Sequence, residues 1–140
     1  MRILGLDLGT KTLGVSISDN LGIIASKYKT IEFASEDYID ALYKLKSIVD
    51  EFNIKTVVLG LPKNMNNTLG FAAKRSLDFK ELLEEKLRLN VIMQDERLSS
   101  KEANDIMIKN NTSRQKRKKT VDSLAAVIIL QSYLDSRKEV

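Results

Sequence analysis

Three acidic residues of this 140-residue chain occupy positions where a charge needs an explanation. Asp7 interrupts an apolar segment that reads as a buried strand, Glu96 follows another strand, and Asp122 falls in the first turn of a predicted helix. A charge inside a buried strand is strongly unfavourable unless it is paired or binds a cation. We therefore expect the carboxylate of Asp7 to have a specific partner.

The composition restricts the chemistry that these carboxylates can support. The chain has no cysteine and no histidine, which excludes disulfides, thiolate chemistry, the usual general base and the usual zinc ligand. Catalysis would then use carboxylates, lysines, hydroxyls or a hard cation bound by oxygen. If the three carboxylates converge, Mg²⁺ or Mn²⁺ offsets their repulsion, and two such ions can activate water for phosphodiester cleavage. The residue types thus favour a divalent-metal site.

Each acid also has a structural interpretation. Asp122 could interact with the helix dipole, Glu96 could form a surface pair with Arg97, and Asp7 could accept hydrogen bonds from turn amides. Asp95 precedes Glu96, and adjacent strand residues point to opposite faces, so only one of the two can face inward. The longer reach of Glu96 favours it over Asp95.

The basic residues are concentrated in one segment. Residues 109–119 (KNNTSRQKRKK) carry six of the 23 lysines and arginines and no acid, so the net charge of +4 is a local feature. Such a cluster suits an anionic polymer, or it is simply a solvated charge run. Because residues 110–119 include no apolar side chain, we expect them to form a mobile loop.

Short apolar runs rich in β-branched residues predict five strands. They are two strands within Ile3–Asp19, then Ile23–Phe33, Lys55–Gly60 and Asn90–Gln94. Apolar residues at helical spacing predict helices after the third strand. These run from a cap at Ser35 to Asn53, over Phe71–Arg88, from a capping box of Ser99 and Glu102, and from a cap at Thr120 over Val121–Ser136.

The element order βββαβαβα predicts an α/β fold in a single domain over residues 1–140. We expect a five-stranded mixed sheet, three antiparallel strands then two parallel, with helices on both faces. The carboxyl ends of the first and fifth strands then share one edge, where ligands bind in open α/β sheets. Asp122 joins them if its helix starts there. With the fourth strand between the other two, Glu96 must reach across two strand spacings, ~9–10 Å.

Four motifs occur in order along the chain. They are GLDLGTKTLGVSISD (5–19), VVLGLPKNMNNTLG (57–70), QDERLSS (94–100) and SRQKRKKTVDSLAAVIILQSYLDS (113–136). Together they resemble the YqgF (RuvX) family of RNase H-like proteins, which are described as Holliday junction resolvases and as the nuclease that matures the 16S ribosomal RNA precursor. The resemblance implies an RNase H-like fold and a metal-dependent endonuclease whose acidic site falls on Asp7, Glu96 and Asp122.

The resemblance also implies which residues lie near the nucleic acid backbone. They are Arg97 and the basic residues Arg114, Lys116, Arg117, Lys118 and Lys119. Three positions depart from the family pattern: Thr12 where a basic residue is common, Asn67 where Gly is usual, and Phe71 where Pro is usual. These departures concern loop contacts to the substrate rather than the presumed metal ligands.

We expect a Mg²⁺- or Mn²⁺-dependent endonuclease that acts in 5′-end maturation of the 16S rRNA precursor. The alternatives are a Holliday junction resolvase acting on branched DNA and a non-catalytic RNA- or ribosome-binding module. A nucleotide phosphate loop at residues 7–10, as in actin-like ATPases, is disfavoured because those enzymes enclose the nucleotide between two such domains. The longest apolar run, Leu124–Leu130, is far shorter than the ~20 residues of a membrane span, so we expect a cytoplasmic protein. The apolar last helix and an edge strand at residues 23–33 could support a dimer, so we expect a monomer or weak homodimer.

Overall fold

A mixed sheet of five strands lies at the centre of the residues that the computed structural model describes, which are 1–61, 70–95 and 114–138. For residues 95, 114–123 and 138 the description covers the backbone alone. The strands are β1 (Leu4–Leu8), β2 (Thr12–Ser18), β3 (Ala25–Glu32), β4 (Thr56–Leu61) and β5 (Asn90–Asp95). Each begins and ends close to its predicted position.

The strand order in the sheet is β3-β2-β1-β4-β5. Neighbours among β1, β2 and β3 are antiparallel, whereas β4 pairs in parallel with both β1 and β5. The predicted mixed sheet, with β4 between β1 and β5, is therefore confirmed. The parallel strands end along one side of the sheet, at Leu8, Leu61 and Asp95, which we call the carboxyl edge. Residues 19–24, which connect β2 to β3, lie at the opposite edge.

Helices cover both faces of the sheet, as predicted. In the described residues they are α1 (Tyr38–Phe52), α2 (Phe71–Lys86) and α3 (Arg114–Lys138). Leu4, Leu6 and Leu8 of β1 pack into the core formed with α1 and α2, and we call this side the α1/α2 face. Ile3 and Val58 pack with α3 on the other side, the α3 face. Alternate residues of each strand thus belong to two separate cores.

The predicted cap of α1 at Ser35 is wrong. The cap is Asp37, whose carboxylate oxygen accepts a hydrogen bond from the backbone N–H of Asp40 (3.1 Å). Glu36 has a positive φ of 62°, so the backbone turns sharply just before the helix. Ser and Asp are comparable capping residues, and the local sequence does not show which of them the turn brings into position.

The predicted start of the last helix is also wrong. α3 begins at Arg114 rather than Val121, so Thr120 is not its cap and residues 114–119 are helical rather than a mobile loop. Lys, Arg and Gln have high helix propensity, and they extend a helix whose apolar part, around Leu130 and Leu134, is already packed on the sheet. The predicted helix from Ser99 and the loop over residues 62–69 lie outside the described residues.

Gly5 and Ser16 let α3 approach the sheet closely. A Cβ atom on residue 5 would lie 2.6 Å from Cβ of Leu130 and 2.7 Å from the carbonyl oxygen of Ala126, and it would overlap Oγ of Ser16. The fully buried Ser16 hydroxyl donates a hydrogen bond to the same Ala126 carbonyl (2.7 Å). The β1–β2 hairpin therefore fixes where the middle of α3 sits.

A second buried serine lacks such a bond. Ser76 of α2 is 1% exposed, and its hydroxyl has no hydrogen-bond partner among the described residues. Leaving a buried hydroxyl unsatisfied is unfavourable, and Ala is also the better helix former. We expect Ser76→Ala to raise the free energy of unfolding by about 1 kcal/mol in urea denaturation.

Ser16→Ala is the matched control for this change. It removes a buried hydroxyl that does have a partner, so it should lower the free energy of unfolding by about 1–2 kcal/mol. Equal losses of stability in the two variants would show that the Ser76 hydroxyl is satisfied in the folded protein.

Candidate active site

Asp7 lies near the end of β1 and faces α3. Gly5, two residues earlier, contacts α3 directly, and alternate strand residues share a face. Leu6 and Leu8 belong to the core on the other side. Asp7 is partly buried, and its partner across the antiparallel pair is Gly14 of β2. Because Gly14 has no side chain, the surface beside Asp7 is bare backbone, where a ligand can approach closely.

A second glycine lies on the other side of Asp7. Leu59 of β4 pairs with Leu6 of β1, and Gly60 follows Leu59. Since Val58 packs against α3, the alternation along β4 puts Gly60 on the α3 face. Asp7 thus lies between two glycine positions at the carboxyl edge. Sequence reasoning missed both, although glycine inside an apolar strand pattern is a known sign of close approach.

The turn after Asp7 is held in place from two sides. The backbone N–H of Gly9 donates to the carbonyl oxygen of Thr12 (2.8 Å), which closes the β1–β2 turn. Phe33 and Glu36, in the β3–α1 connection, donate their backbone N–H groups to the carbonyl oxygens of Lys11 (2.9 Å) and Thr10 (2.8 Å). These bonds tie the carboxyl edge near Asp7 to the rest of the fold.

α3 runs antiparallel to β1 across the α3 face. The middle of α3 contacts Gly5 at Ala126. Five residues later, the side chain of Gln131 accepts a hydrogen bond from the N–H of Ala25 (2.8 Å) and donates one to the carbonyl oxygen of Ile23 (3.0 Å). Ala25 and Ile23 lie at the opposite edge. The part of α3 that precedes Ala126 therefore extends towards the carboxyl edge.

This direction brings positions 7 and 122 to the same end of the α3 face. Position 122 precedes Ala126 by about one helical turn, ~6 Å along the helix axis. Asp7 follows Gly5 by two residues, ~6–7 Å along the strand in the same direction. Asp122 also lies more than two turns inside α3, and the first turn of that helix has no acid. The interpretation of Asp122 as a first-turn acid on the helix dipole is therefore wrong.

β5 brings its own end to the carboxyl edge. Gln94 pairs with Gly60 and Asp95 with Leu61, so the chain reaches the edge at the level of Asp7. Ile92 packs against the core under α3, and the two-residue alternation puts Gln94 on the same face. Glu96 and Arg97 follow outside the described residues. The choice of Glu96 over Asp95 stays a prediction.

The donor chemistry at Asp7 fits a hard divalent cation. A carboxylate beside bare backbone offers the oxygen ligands that Mg²⁺ and Mn²⁺ prefer. Among the side chains that the structure describes, which do not include those of Asp95, Glu96 and Asp122, no three acidic groups form a metal-binding cluster. Of the three predicted ligands, Asp7 alone has a described side chain. The structure thus positions Asp7 and the backbone at 122, and the trio as a whole stays a prediction.

Five of the six predicted nucleic-acid contacts lie together in the chain, and the sixth, Arg97, lies outside the described residues. Arg114, Lys116, Arg117, Lys118 and Lys119 all belong to the first turns of α3. Because α3 extends towards the carboxyl edge before Ala126, this basic segment lies on the Asp7 side of the molecule.

In the described part of the chain, no helix is both long and apolar enough to cross a membrane.

Comparison with known proteins agrees with this fold. A family model described as "RuvX: Holliday junction resolvase" matches residues 1–136. Two relatives share the name "Putative pre-16S rRNA nuclease". The one from Geobacillus sp. (strain WCH70) is 51% identical over 138 residues, covering 99% of this chain and 100% of the relative. The one from Staphylococcus haemolyticus (strain JCSC1435) is 49% identical over 136 residues, covering 96% of each.

Solved structures show the same fold at low sequence identity. RuvC from T. thermophilus in complex with a Holliday junction substrate has a TM-score of 0.62 at 14% identity, covering 100% of this chain and 97% of that one. Fowlpox virus resolvase in complex with Holliday junction DNA has a TM-score of 0.59 at 17% identity, covering 98% and 99%. The fold is thus RNase H-like, of the RuvC type, and with the family match over nearly its full length the chain belongs to the RuvX (YqgF) family.

Proposed function

We propose that this chain is a metal-dependent endonuclease that cleaves the precursor of 16S ribosomal RNA. Relatives about half identical over nearly the whole chain have the name "Putative pre-16S rRNA nuclease". The observation that carries the proposal is Asp7, a partly buried carboxylate between two glycine positions at the carboxyl edge. A charge at such a position is unfavourable unless it is paired or binds a cation.

We propose Asp7, Glu96 and Asp122 as the residues that hold the divalent cations, Mg²⁺ or Mn²⁺. Two such ions, when bound, supply a water of lowered pKa and a positive charge beside the leaving oxygen. The alternation of Ile92 and Gln94 along β5 favours residue 96 over 95 for the face that Asp7 occupies. The position of Asp122 deep within α3, one turn before Ala126, supports its inclusion.

The basic residues would hold the phosphate backbone on either side of the cut. We propose that Arg97, two residues after the end of β5 in the sequence, and the basic segment of α3 contact the phosphate backbone, and such contacts position a nucleic acid without reading its sequence. We further propose that residues 1–140 act as a single nuclease domain, as a monomer or weak homodimer. We also propose that it acts in the cytoplasm.

The basic segment gives a prediction about salt dependence. We expect the fivefold replacement of Arg114, Lys116, Arg117, Lys118 and Lys119 by Gln to weaken RNA binding. The slope of log affinity against log salt should flatten by about 0.7 for each phosphate that is no longer neutralised on a single strand, or about 0.9 on a duplex. Filter binding or fluorescence anisotropy at several salt concentrations measures this slope.

The control has the same net charge. Five exposed lysines elsewhere, Lys27, Lys29, Lys46, Lys55 and Lys86, are replaced by Gln in a second variant. This variant should keep most of the slope, because its lysines lie away from the proposed path of the backbone. Equal slopes in both variants would mean that overall charge, and not the α3 segment, attracts the nucleic acid.

Two substrates separate the proposed function from its alternatives. The purified protein is incubated with a 16S precursor fragment or with a four-way DNA junction, in Mn²⁺ or in EDTA, and the cut ends are mapped. We expect cleavage of the RNA in Mn²⁺ alone. Cleavage of the junction instead would support the resolvase activity that the family description gives. Binding of RNA without cleavage would indicate the non-catalytic module.

A further inference from the structure

Phe71 is an aromatic residue whose side chain packs into neither of the two cores. Its side chain is 91% exposed, more than any other large hydrophobic side chain among the described residues. It opens α2, which returns the chain from the end of β4 to the start of β5, where the N–H of Asn90 donates to the carbonyl of Lys55 (2.9 Å). α2 therefore begins at the carboxyl edge, and Phe71 projects there into solvent.

Two basic residues lie close to Phe71 in the sequence of α2. Lys74 and Arg75 follow Phe71 within about one turn, and the first turn of α2 has no acidic residue. Acids stabilise the first turn of a helix, and cations there oppose the helix dipole. The charges at this end of α2 are therefore unfavourable for the helix itself, but they suit a polyanion.

Phe71 and Asp7 lie on two sides of the same edge. Asp7 faces α3, whereas α2 lies on the α1/α2 face, with Phe79 and Leu83 in its core. A flexible strand that crosses the carboxyl edge can contact both residues, whereas a stacked duplex has no free base faces to offer. Unpaired RNA is commonly recognised by stacking of its bases on aromatic side chains.

We propose that Phe71 stacks on an unpaired base of the substrate RNA, with Lys74 and Arg75 beside the flanking phosphates. This inference deepens the proposed function, since it rests on RNA as the substrate and assigns a single-stranded segment next to the cleavage site. Phe71 is thereby a substrate-binding residue, and the metal site does not depend on it.

The chain offers a direct reporter for the stacking. It has no tryptophan, so Phe71→Trp and Leu21→Trp each create a protein with one indole. Leu21 is 80% exposed at the opposite edge, in a turn where the carboxylate of Asp19 accepts the N–H of Ile23 (2.7 Å). This hydrogen bond lowers the pKa of the Asp19 carboxyl. Single-stranded RNA is titrated against each protein in EDTA, so that no cleavage occurs.

We expect single-stranded RNA to quench the fluorescence of Phe71→Trp and to leave that of Leu21→Trp unchanged. Duplex RNA should quench neither. In the natural background, Phe71→Ala should weaken single-strand binding by about 5- to 150-fold, the range found for loss of one base–aromatic stack. Phe71→Tyr should restore binding and Phe71→Leu should not. In cleavage assays Phe71→Ala should raise KM with little change in kcat.

Two results of the binding measurements would overturn the inference. One is unchanged RNA affinity in Phe71→Ala, which would mean that the ring does not contribute to RNA binding. The other is full binding by Phe71→Leu, which would require an apolar contact without stacking. The fluorescence readout needs neither metal nor turnover. A protein that is quenched but never cleaves RNA would disprove the proposed function, and a protein that cleaves but is not quenched would disprove the stacking alone.

Discussion

Replacing Asp7 by Asn is expected to lower the rate of RNA cleavage by about 100-fold or more, equivalent to about 3 kcal/mol of transition-state stabilisation. Asn has nearly the same shape, so the change removes the negative charge with little effect on packing. The loss follows because a neutral amide holds a divalent cation far more weakly than a carboxylate does. Single-turnover cleavage of the precursor fragment in Mn²⁺ measures the rate constant.

Asp19→Asn is the matched control. Asp19 follows β2 at the opposite edge, where its carboxylate accepts backbone N–H groups of the turn from Ile23 (2.7 Å) and Ile24 (3.3 Å). The hydrogen bond from Ile23 is the main cause that lowers the pKa of the Asp19 carboxyl. The stabilising effect of this hydrogen bond is therefore present at neutral pH and is lost as acid protonates the carboxylate. Asp19→Asn should therefore unfold more easily and still cleave RNA at the normal rate. Normal cleavage by Asp7→Asn would exclude Asp7 from the reaction.

Gly5→Val is expected to lower the free energy of unfolding by about 3 kcal/mol, in the upper range for overpacked cores. The new Cβ would meet the backbone carbonyl of Ala126, which cannot rotate away within a helix, together with Leu130 and Ser16. α3 must then move off the sheet, and the proposed ligand Asp122 moves with it. We expect cleavage to fall even under conditions where the variant is fully folded.

A double-mutant cycle tests the cause of this effect. Gly5→Ala adds the Cβ alone, and Ser16→Ala removes one of the atoms that it meets. The double variant should be more stable than the sum of the two single changes predicts, because they share one contact. Simple additivity, measured by urea denaturation, would mean that a Cβ at position 5 does not meet the Ser16 hydroxyl as the structure shows.

The sheet could be predicted from the sequence because its signals are local. Apolar runs separated by short turns predict antiparallel neighbours, and helices between runs predict parallel ones. The start of α3 could not be predicted in this way. Its basic residues resemble a solvated loop, and they are helical because the apolar residues that follow are anchored on the sheet.

The candidate site could be predicted only in part, for a similar reason. Asp7 could be recognised in the sequence as a charge among apolar strand residues. The position of α3 on the sheet, in contrast, depends on a hydrogen bond between Ser16 and Ala126, which are 110 positions apart in the chain. No local pattern reveals such a contact. The two glycine positions beside Asp7 become meaningful only once the register of β1 with β2 and β4 is known.

The affinity for Mn²⁺, measured by calorimetry without nucleic acid, shows directly whether the three carboxylates form one metal site. Wild type is compared with Asp7→Asn, Glu96→Gln and Asp122→Asn, and Asp95→Asn serves as the control. If one shared site exists at the carboxyl edge, each of the first three changes should weaken Mn²⁺ binding by about tenfold or more, and Asp95→Asn should not. Equal Mn²⁺ affinity in wild type and the three variants would contradict the proposed site.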